Sequence, residues 1–107
     1  MAANVLDTLV RFCQMLAEEY SVAFEVGLVA KRSKAMRLRN KLSNLIENPA
    51  RLNAEETRDL LNKFITEALS RKIRSRDNEM LDGILSDPNY ETERKKALST
   101  VKKRKQA

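Results

Sequence analysis

The sequence contains no histidine, and this absence excludes most of the familiar catalytic chemistry. Histidine is the usual general base, the usual partner of a serine or cysteine nucleophile, and the commonest metal ligand. The single cysteine, Cys13, cannot form a disulfide or a thiolate metal cluster within one chain. The two glycines lie far apart, so no glycine-rich phosphate loop is present. We therefore expect a protein that is not an enzyme and that needs no cofactor or metal.

Residues that interrupt helices are also scarce. Glycine and proline occur twice each and tryptophan is absent, whereas 34% of the residues are charged. This composition favours long helices joined by few turns, so we predict an all-α fold. A chain of 107 residues buries only part of its apolar surface, and such chains often complete the core by dimerising. We expect long amphipathic helices that assemble into a dimeric bundle.

Long apolar segments are missing as well. No apolar run approaches the roughly 20 residues that a bilayer span needs. Asp7 and Arg11 interrupt the apolar run near the N-terminus, which is therefore not typical of a signal peptide. Cys13 lies on the apolar pattern of its helix and is expected to be a buried, unreactive thiol in a reducing compartment. We expect a soluble, cytoplasmic protein without a membrane partner.

Positive charge is abundant and segregated. The formal net charge is +6, and 17 of the 21 lysines and arginines lie in three runs that contain no carboxylate. The runs extend over residues 31–41, 71–76 and 94–105. A segregated basic surface implies an anionic partner, such as nucleic acid, an acidic protein or anionic lipid.

The first basic run lies on a strongly amphipathic segment. At 100° per residue, one stripe of a helix over residues 28–46 is apolar and cationic residues flank it on both sides. Lys34, Arg37 and Lys41 follow one flank, and Arg32 and Arg39 follow the other. The stripe itself consists of Leu28, Ala35, Leu38, Leu42 and Leu45. We expect the stripe to face a core and the cations to form one continuous basic track.

The segment before this helix has the same three-four apolar spacing from Ala2 to about Gly27. Two arrangements are compatible with it. Either one helix continues from about Ala3 to Glu47, or the chain turns near Gly27 and forms a hairpin. One glycine costs a helix only about 1 kcal/mol, and no stronger turn signal is present. We expect the unbroken helix, which would be too long for one small domain to bury.

Proline and capping signals divide the rest of the chain. Pro49 ends the basic helix, and Asn53 with Glu56 predicts the capping box of a helix from about Ala54 to Arg74. A short helix is expected over residues 77–85, and Asp87-Pro88 predicts the start of a last helix that ends near residue 100. We expect a helical dimerisation and nucleic-acid-binding domain over residues 1–86. Residues 87–107 would form a charged helix and a basic tail that is frayed, a nuclear signal or a nucleic-acid arm.

The basic helix ends in Leu45-Ile-Glu-Asn-Pro49, which resembles the RNA-silencing suppressors of insect nodaviruses, where a long basic helix ends in Leu-Leu-Glu-Lys-Pro. Chain length, helicity, basic charge and the polar tail are also similar to that family, in which a helical hairpin precedes the motif. The resemblance implies an antiparallel dimer, a four-helix bundle that lies along double-stranded RNA without reading its sequence. It also implies a viral protein that shields RNA from dicing and from small-RNA loading.

The residues themselves favour duplex binding. Few aromatic residues are available to stack on single strands, and Asn40 and Asn44 are the only amides on the basic helix that could read bases. The shallow minor groove of A-form RNA suits a surface that recognises shape and charge. The residues expected to bind are Lys31, Arg32, Lys34, Arg37, Arg39, Lys41, Arg71, Lys72 and Arg74. A helical adaptor that binds a protein partner, and a dimeric DNA-binding accessory protein of a phage or plasmid, are the alternatives.

Overall fold

A computed structural model of the chain describes residues 4–28 and 33–106, with side chains as far as residue 100. The described residues contain no strand, and this confirms the predicted all-α class. A π-helical turn (Phe64–Ala68) directly continues the third helix. The helices are α1 (Val5–Glu25), α2 (Ser33–Glu47), α3 (Ala54–Lys63), α4 (Ser75–Leu85) and α5 (Pro88–Gln106).

The expected unbroken N-terminal helix is wrong, because α1 ends at Glu25. Gly27 has a φ of 75°, a left-handed conformation that glycine adopts without strain. The N–H of Leu28 donates to the carbonyl of Ala23 (2.8 Å), and the N–H of Gly27 donates to Phe24 (3.2 Å). These two bonds form a Schellman motif, which satisfies the last carbonyls of a helix and stops it. The hairpin was therefore the correct alternative, and α1 and α2 pack against each other.

The role of Gly27 can be tested against the second glycine of the chain. A Cβ would meet no atom within 4 Å at either Gly27 or Gly83, so neither substitution causes a clash. We expect Gly27→Ala to lower the free energy of unfolding by about 1 kcal/mol, because alanine is strained in the left-handed region. Gly83 lies inside α4, where alanine has the higher helix propensity, so Gly83→Ala is expected to raise the free energy of unfolding by about 1 kcal/mol. Urea denaturation of both variants checks the opposite signs, and a stabilised Gly27→Ala would contradict this account of the turn.

The predicted caps of α3 and α5 are present. The side chain of Asn53 accepts the N–H of Glu56 (2.8 Å), and the Glu56 carboxylate accepts the N–H of Asn53 (3.2 Å). Asp87 accepts the N–H of Asn89 (2.8 Å) in front of Pro88, the first residue of α5. Helix α5 continues to Gln106, beyond the end predicted near residue 100.

The helix that was predicted to end at Arg74 already ends at Ala68. Its last turn is π-helical, with the N–H of Leu69 bonded to the carbonyl of Phe64 (2.9 Å). Ser70 follows with a φ of 54°, and this left-handed residue takes the chain out of the helix. Residues 69–74 are therefore an irregular connection, and the second basic run lies on it and on the first turn of α4 rather than at a helix end.

One apolar core joins all the helices. Leu9, Cys13, Leu61, Phe64 and Ile65 have no solvent exposure or almost none. The hydroxyl groups of Tyr90 in α5 and Thr57 in α3 lie 3.3 Å apart inside this core. Burial raises the pKa of the Cys13 thiol to about 12, as expected for an unreactive cysteine.

Helix α5 also holds the first turn of α1. The carboxylate of Glu93 accepts the N–H groups of Val5 (3.3 Å) and Leu6 (3.1 Å), two of the donors that a helix start leaves without a partner. The guanidinium of Arg94 donates to the carbonyl of Leu52 (2.8 Å), so the first cation of the third basic run has a structural role.

Candidate nucleic-acid interface

Helix α2 buries the stripe that its sequence predicts. Ala35, Leu38, Leu42 and Leu45 are all buried, and they turn the helix towards α1, α3 and the π-helical turn. Leu28 is the exception, because it precedes the helix and is 75% exposed. The orientation of α2 is thus fixed by apolar burial, and its opposite side faces solvent.

The solvent side of α2 carries two cations and two amides: Arg37, Asn40, Lys41 and Asn44. These four residues, which we call the α2 face, follow the i, i+3, i+4, i+7 spacing that places side chains on one side of a helix. In the described part of the chain, neither Arg37 nor Lys41 has a carboxylate within ion-pair distance. Helix α2 itself has no acidic residue before Glu47. The α2 face therefore presents its positive charge to solvent.

Lys34 lies at the edge of the α2 face and is partly neutralised. Its ammonium group is 2.5 Å from the carboxylate of Glu67 on the π-helical turn. The lysine side chain is 69% exposed, and exposed pairs of this kind contribute only about 0–1 kcal/mol. Lys34 can exchange this partner for a phosphate at little cost, but Glu67 reduces the positive potential around it.

Arg39 lies on the other flank of α2, away from the α2 face. It is half-buried and donates a hydrogen bond to the hydroxyl of Ser43, one turn further along the helix. With Tyr20 and Phe24 it lines a groove between α1 and α2. The two flanks of α2 thus face different parts of the fold, so the described cations of this helix do not form the expected continuous basic track.

A groove of about 310 Å³ lies between α2 and the start of α3, next to the α2 face. Lys41 and Asn44 line one wall, and the exposed Arg51 lines the other. The groove also contains acidic side chains, of which Asp59 is paired with Lys63 (3.1 Å). Arg51 is a candidate that the sequence analysis missed, because it lies outside the three basic runs and only the fold brings it beside Lys41.

Arg71 is held in an ion cluster. Its Nε and Nη2 donate to Glu19 of α1 (2.5 and 3.1 Å), and its Nη1 donates to Asp77 of α4 (2.9 Å). The same Nη1 also donates to the carbonyl of Lys72 (2.9 Å). Only 15% of the Arg71 side chain is exposed. A phosphate could reach Arg71 only by breaking two ion pairs, so we leave this residue out of the proposed interface.

Protonation states in the cluster follow from these contacts. Hydrogen bonds to Glu19 and Asp77 raise the pKa of Arg71. Burial alone would raise the pKa of Asp77, but the hydrogen bonds from Arg71 and from the backbone N–H of Arg74 outweigh it and lower this pKa. Arg71 and Asp77 are therefore both charged at neutral pH, and the cluster joins α1 to the start of α4.

The remaining predicted residues lie apart from the α2 face. Lys72 and Arg74 are exposed, and Arg74 lines a groove beside α1. Lys31 and Arg32 lie outside the described residues. Of the nine predicted residues, Arg37 and Lys41 are thus the two that lie on the α2 face and are in no described ion pair.

Comparisons of the chain with known protein families, curated protein sequences and solved structures give no match. No described helix combines the length and the apolar character that crossing a bilayer requires.

Proposed function

We propose that this chain binds duplex nucleic acid, preferably double-stranded RNA, without reading its sequence. The observation that carries the proposal is the α2 face, where Arg37 and Lys41 lie on an exposed helix surface without a neutralising carboxylate. Cationic groups that approach a phosphate backbone release condensed counterions, and this release supplies most of the sequence-independent affinity. The net charge of +6 adds long-range attraction.

The α2 face suits a duplex better than a single strand. Phe12, Tyr20, Phe64 and Tyr90 are buried, and Phe24 lies on the other side of α2, so the described aromatic residues offer no stacking surface next to Arg37. Asn40 and Asn44 carry amides that both donate and accept hydrogen bonds. A 2′-hydroxyl in the shallow minor groove of A-form RNA can accept from or donate to such groups. These features favour RNA over DNA.

We further propose that the protein acts as a homodimer in the cytoplasm of a host cell, as a viral suppressor of RNA silencing. The α1–α2 hairpin that ends at Pro49 supports the resemblance to the nodavirus suppressors, which also have a helical hairpin before this motif. Duplex RNA covered by the protein would be shielded from dicing and from small-RNA loading. Because α1 ends at Glu25, an unbroken long helix does not support the dimer. The exposed apolar surface of α1 supports it instead.

Fluorescence anisotropy with labelled double-stranded RNA, double-stranded DNA and single strands tests the proposal. We expect the tightest binding with double-stranded RNA and equal affinity for unrelated sequences. The logarithm of the binding constant should fall linearly with the logarithm of the salt concentration, with a slope of about −2 for two phosphate contacts per chain. Binding that does not depend on salt, or that is strongest with single strands, would contradict the proposal. Stronger binding to DNA would support the accessory-protein alternative.

A protein-interaction adaptor is the second candidate function. The observation that favours it is the exposure of Met15, Val22 and Val26 on the solvent side of α1. The adaptor would be favoured if the natural chain bound no duplex and formed a stable complex with a different protein through this surface.

A further inference from the structure

Four large apolar side chains lie together on the solvent side of α1 and in the turn after it. Met15 is 51% exposed, Val22 56%, Val26 63% and Leu28 75%. The spacings of seven and four residues put Met15, Val22 and Val26, the residue directly after α1, on one line about 16 Å long. We call these four residues the α1 strip. More than half of each of these side chains is exposed, whereas Leu9, Leu16 and Tyr20 of α1 are buried in the core.

The α1 strip borders an open groove of about 730 Å³ between α1 and the connection that follows the π-helical turn. Leu69, which is only 7% exposed, also lines this groove. Exposed apolar side chains that lie together and are rimmed by polar residues often mark an interface.

The two borders of the α1 strip carry different unpaired charges. On a helical wheel, Glu18 and Glu25 lie roughly 60–80° to one side of the line through Met15, Val22 and Val26. On the other side the groove is lined by the Glu19–Arg71 ion pair and by Arg74. Glu18, Glu25 and Arg74 are exposed, and within the described part of the chain none of their side chains is in an ion pair.

We infer that the α1 strip is the interface with a second copy of this chain, and that the two α1 helices run parallel. In a two-fold dimer the same patch faces itself. If the two-fold axis crosses the helix at right angles, the helices are antiparallel, and Glu18 and Glu25 meet the same carboxylates of the partner subunit. If the axis runs along the strip, the helices are parallel and Glu18 faces Arg74 of the partner subunit. Only the parallel arrangement pairs the opposite charges.

This arrangement differs from the antiparallel dimer that the sequence resemblance implies. The charges on the borders also disfavour an anionic membrane or a nucleic acid as the occupant, because Glu18 and Glu25 would face its phosphates. A second copy satisfies the apolar strip and both borders at once.

Light scattering of the purified chain without nucleic acid tests the interface. We expect a dimer for the natural sequence and a monomer for Val22→Glu, because a carboxylate would be placed in the centre of the apolar contact. Met36→Glu is the matched control, since Met36 is 55% exposed on α2 outside the α1 strip, and it should remain dimeric. Circular dichroism should show equal helicity in all three proteins. A monomeric natural chain at micromolar concentrations, or a dimeric Val22→Glu variant, would overturn the inference.

Disulfide trapping tests the direction of the helices. Cys13 is fully buried, so a cysteine introduced at the surface is the reactive one. With the axis along the strip, equivalent positions meet over its whole length, so Met15→Cys and Val26→Cys should each form a covalent dimer under mild oxidation. In an antiparallel dimer a position far from the axis does not meet its own copy, because a disulfide requires Cα atoms within about 7 Å. Cross-linking of Val22→Cys alone would overturn the parallel arrangement.

Exchange of the border charges is an independent check. Glu18→Arg should weaken the dimer by about tenfold, and the further substitution Arg74→Glu should restore it. If the two substitutions together weaken the dimer by the sum of their separate effects on the free energy of association, the proposed Glu18–Arg74 pairing is wrong. None of these measurements involves RNA, so their outcome does not depend on the proposed function. A monomeric variant that still binds duplexes would show that dimerisation and duplex binding are separate properties.

Discussion

Arg71→Met is expected to lower the free energy of unfolding by about 3 kcal/mol. Methionine keeps much of the volume of arginine but leaves Asp77, whose side chain is only 12% exposed, without its charged partner. Glu19 loses its two hydrogen bonds as well, and the contact between α1 and the start of α4 is weakened. Removing one member of a nearly buried ion pair is costly because the other charge remains desolvated.

Urea denaturation at pH 7 measures this change. Lys72→Met is the matched control, since the neighbouring lysine is exposed and its loss should change the free energy of unfolding by less than about 0.5 kcal/mol. Equal stability of the Arg71 and Lys72 variants would show that the ion cluster does not hold the connection.

The same cluster predicts a pH dependence. The pKa of Asp77 is lower in the folded chain than its ordinary value, so the unfolded chain binds the proton more tightly. The stabilisation by Asp77 is therefore fully present above about pH 4, the ordinary range of an aspartate, and is lost as the pH falls through the folded value. The natural chain should lose stability in this acidic range, and the Arg71→Met variant should lose less of it.

The second large effect is expected from the pair Arg37→Ala and Lys41→Ala on the α2 face. The double variant should bind double-stranded RNA about 30-fold more weakly at low salt, with the same factor for every duplex sequence. The slope of the logarithm of the binding constant against the logarithm of the salt concentration should become less negative by about 2, because about two phosphate contacts per chain are lost. Both side chains are exposed and in no described ion pair, so helicity and stability should not change.

The control for this experiment must remove the same charge elsewhere. Arg11 on α1 and Arg76 on α4 are exposed and lie off the α2 face. Arg11→Ala with Arg76→Ala should weaken binding by less than about threefold, through the loss of net charge alone. If the two double variants weaken binding equally, the α2 face has no special role and only the total charge matters.

Several elements of the fold could be predicted because their causes lie within one or two helical turns. Asn53 and Glu56 are three residues apart, and their capping box formed as expected. The buried positions of α2 follow from spacing along one helix, as for Leu38, Leu42 and Leu45. The end of α1 was also local, since glycine followed by an apolar residue is the pattern of a Schellman motif. The unbroken helix is the wrong prediction because the capping bonds of this motif favour a helix end, in addition to the small helical cost of a glycine.

The amino-acid sequence by itself determined the helical class, the caps and the side of α2 that faces solvent, because local spacing and burial fix these features. Only the tertiary structure decided which cations remain available. Arg71 is paired with Glu19, 52 residues earlier, and Lys34 with Glu67, whereas Arg37 and Lys41 keep their charge in solvent. The physical reason is that ion pairing acts over a few ångströms in space, and no pattern along the chain records which distant carboxylate a fold brings within that distance.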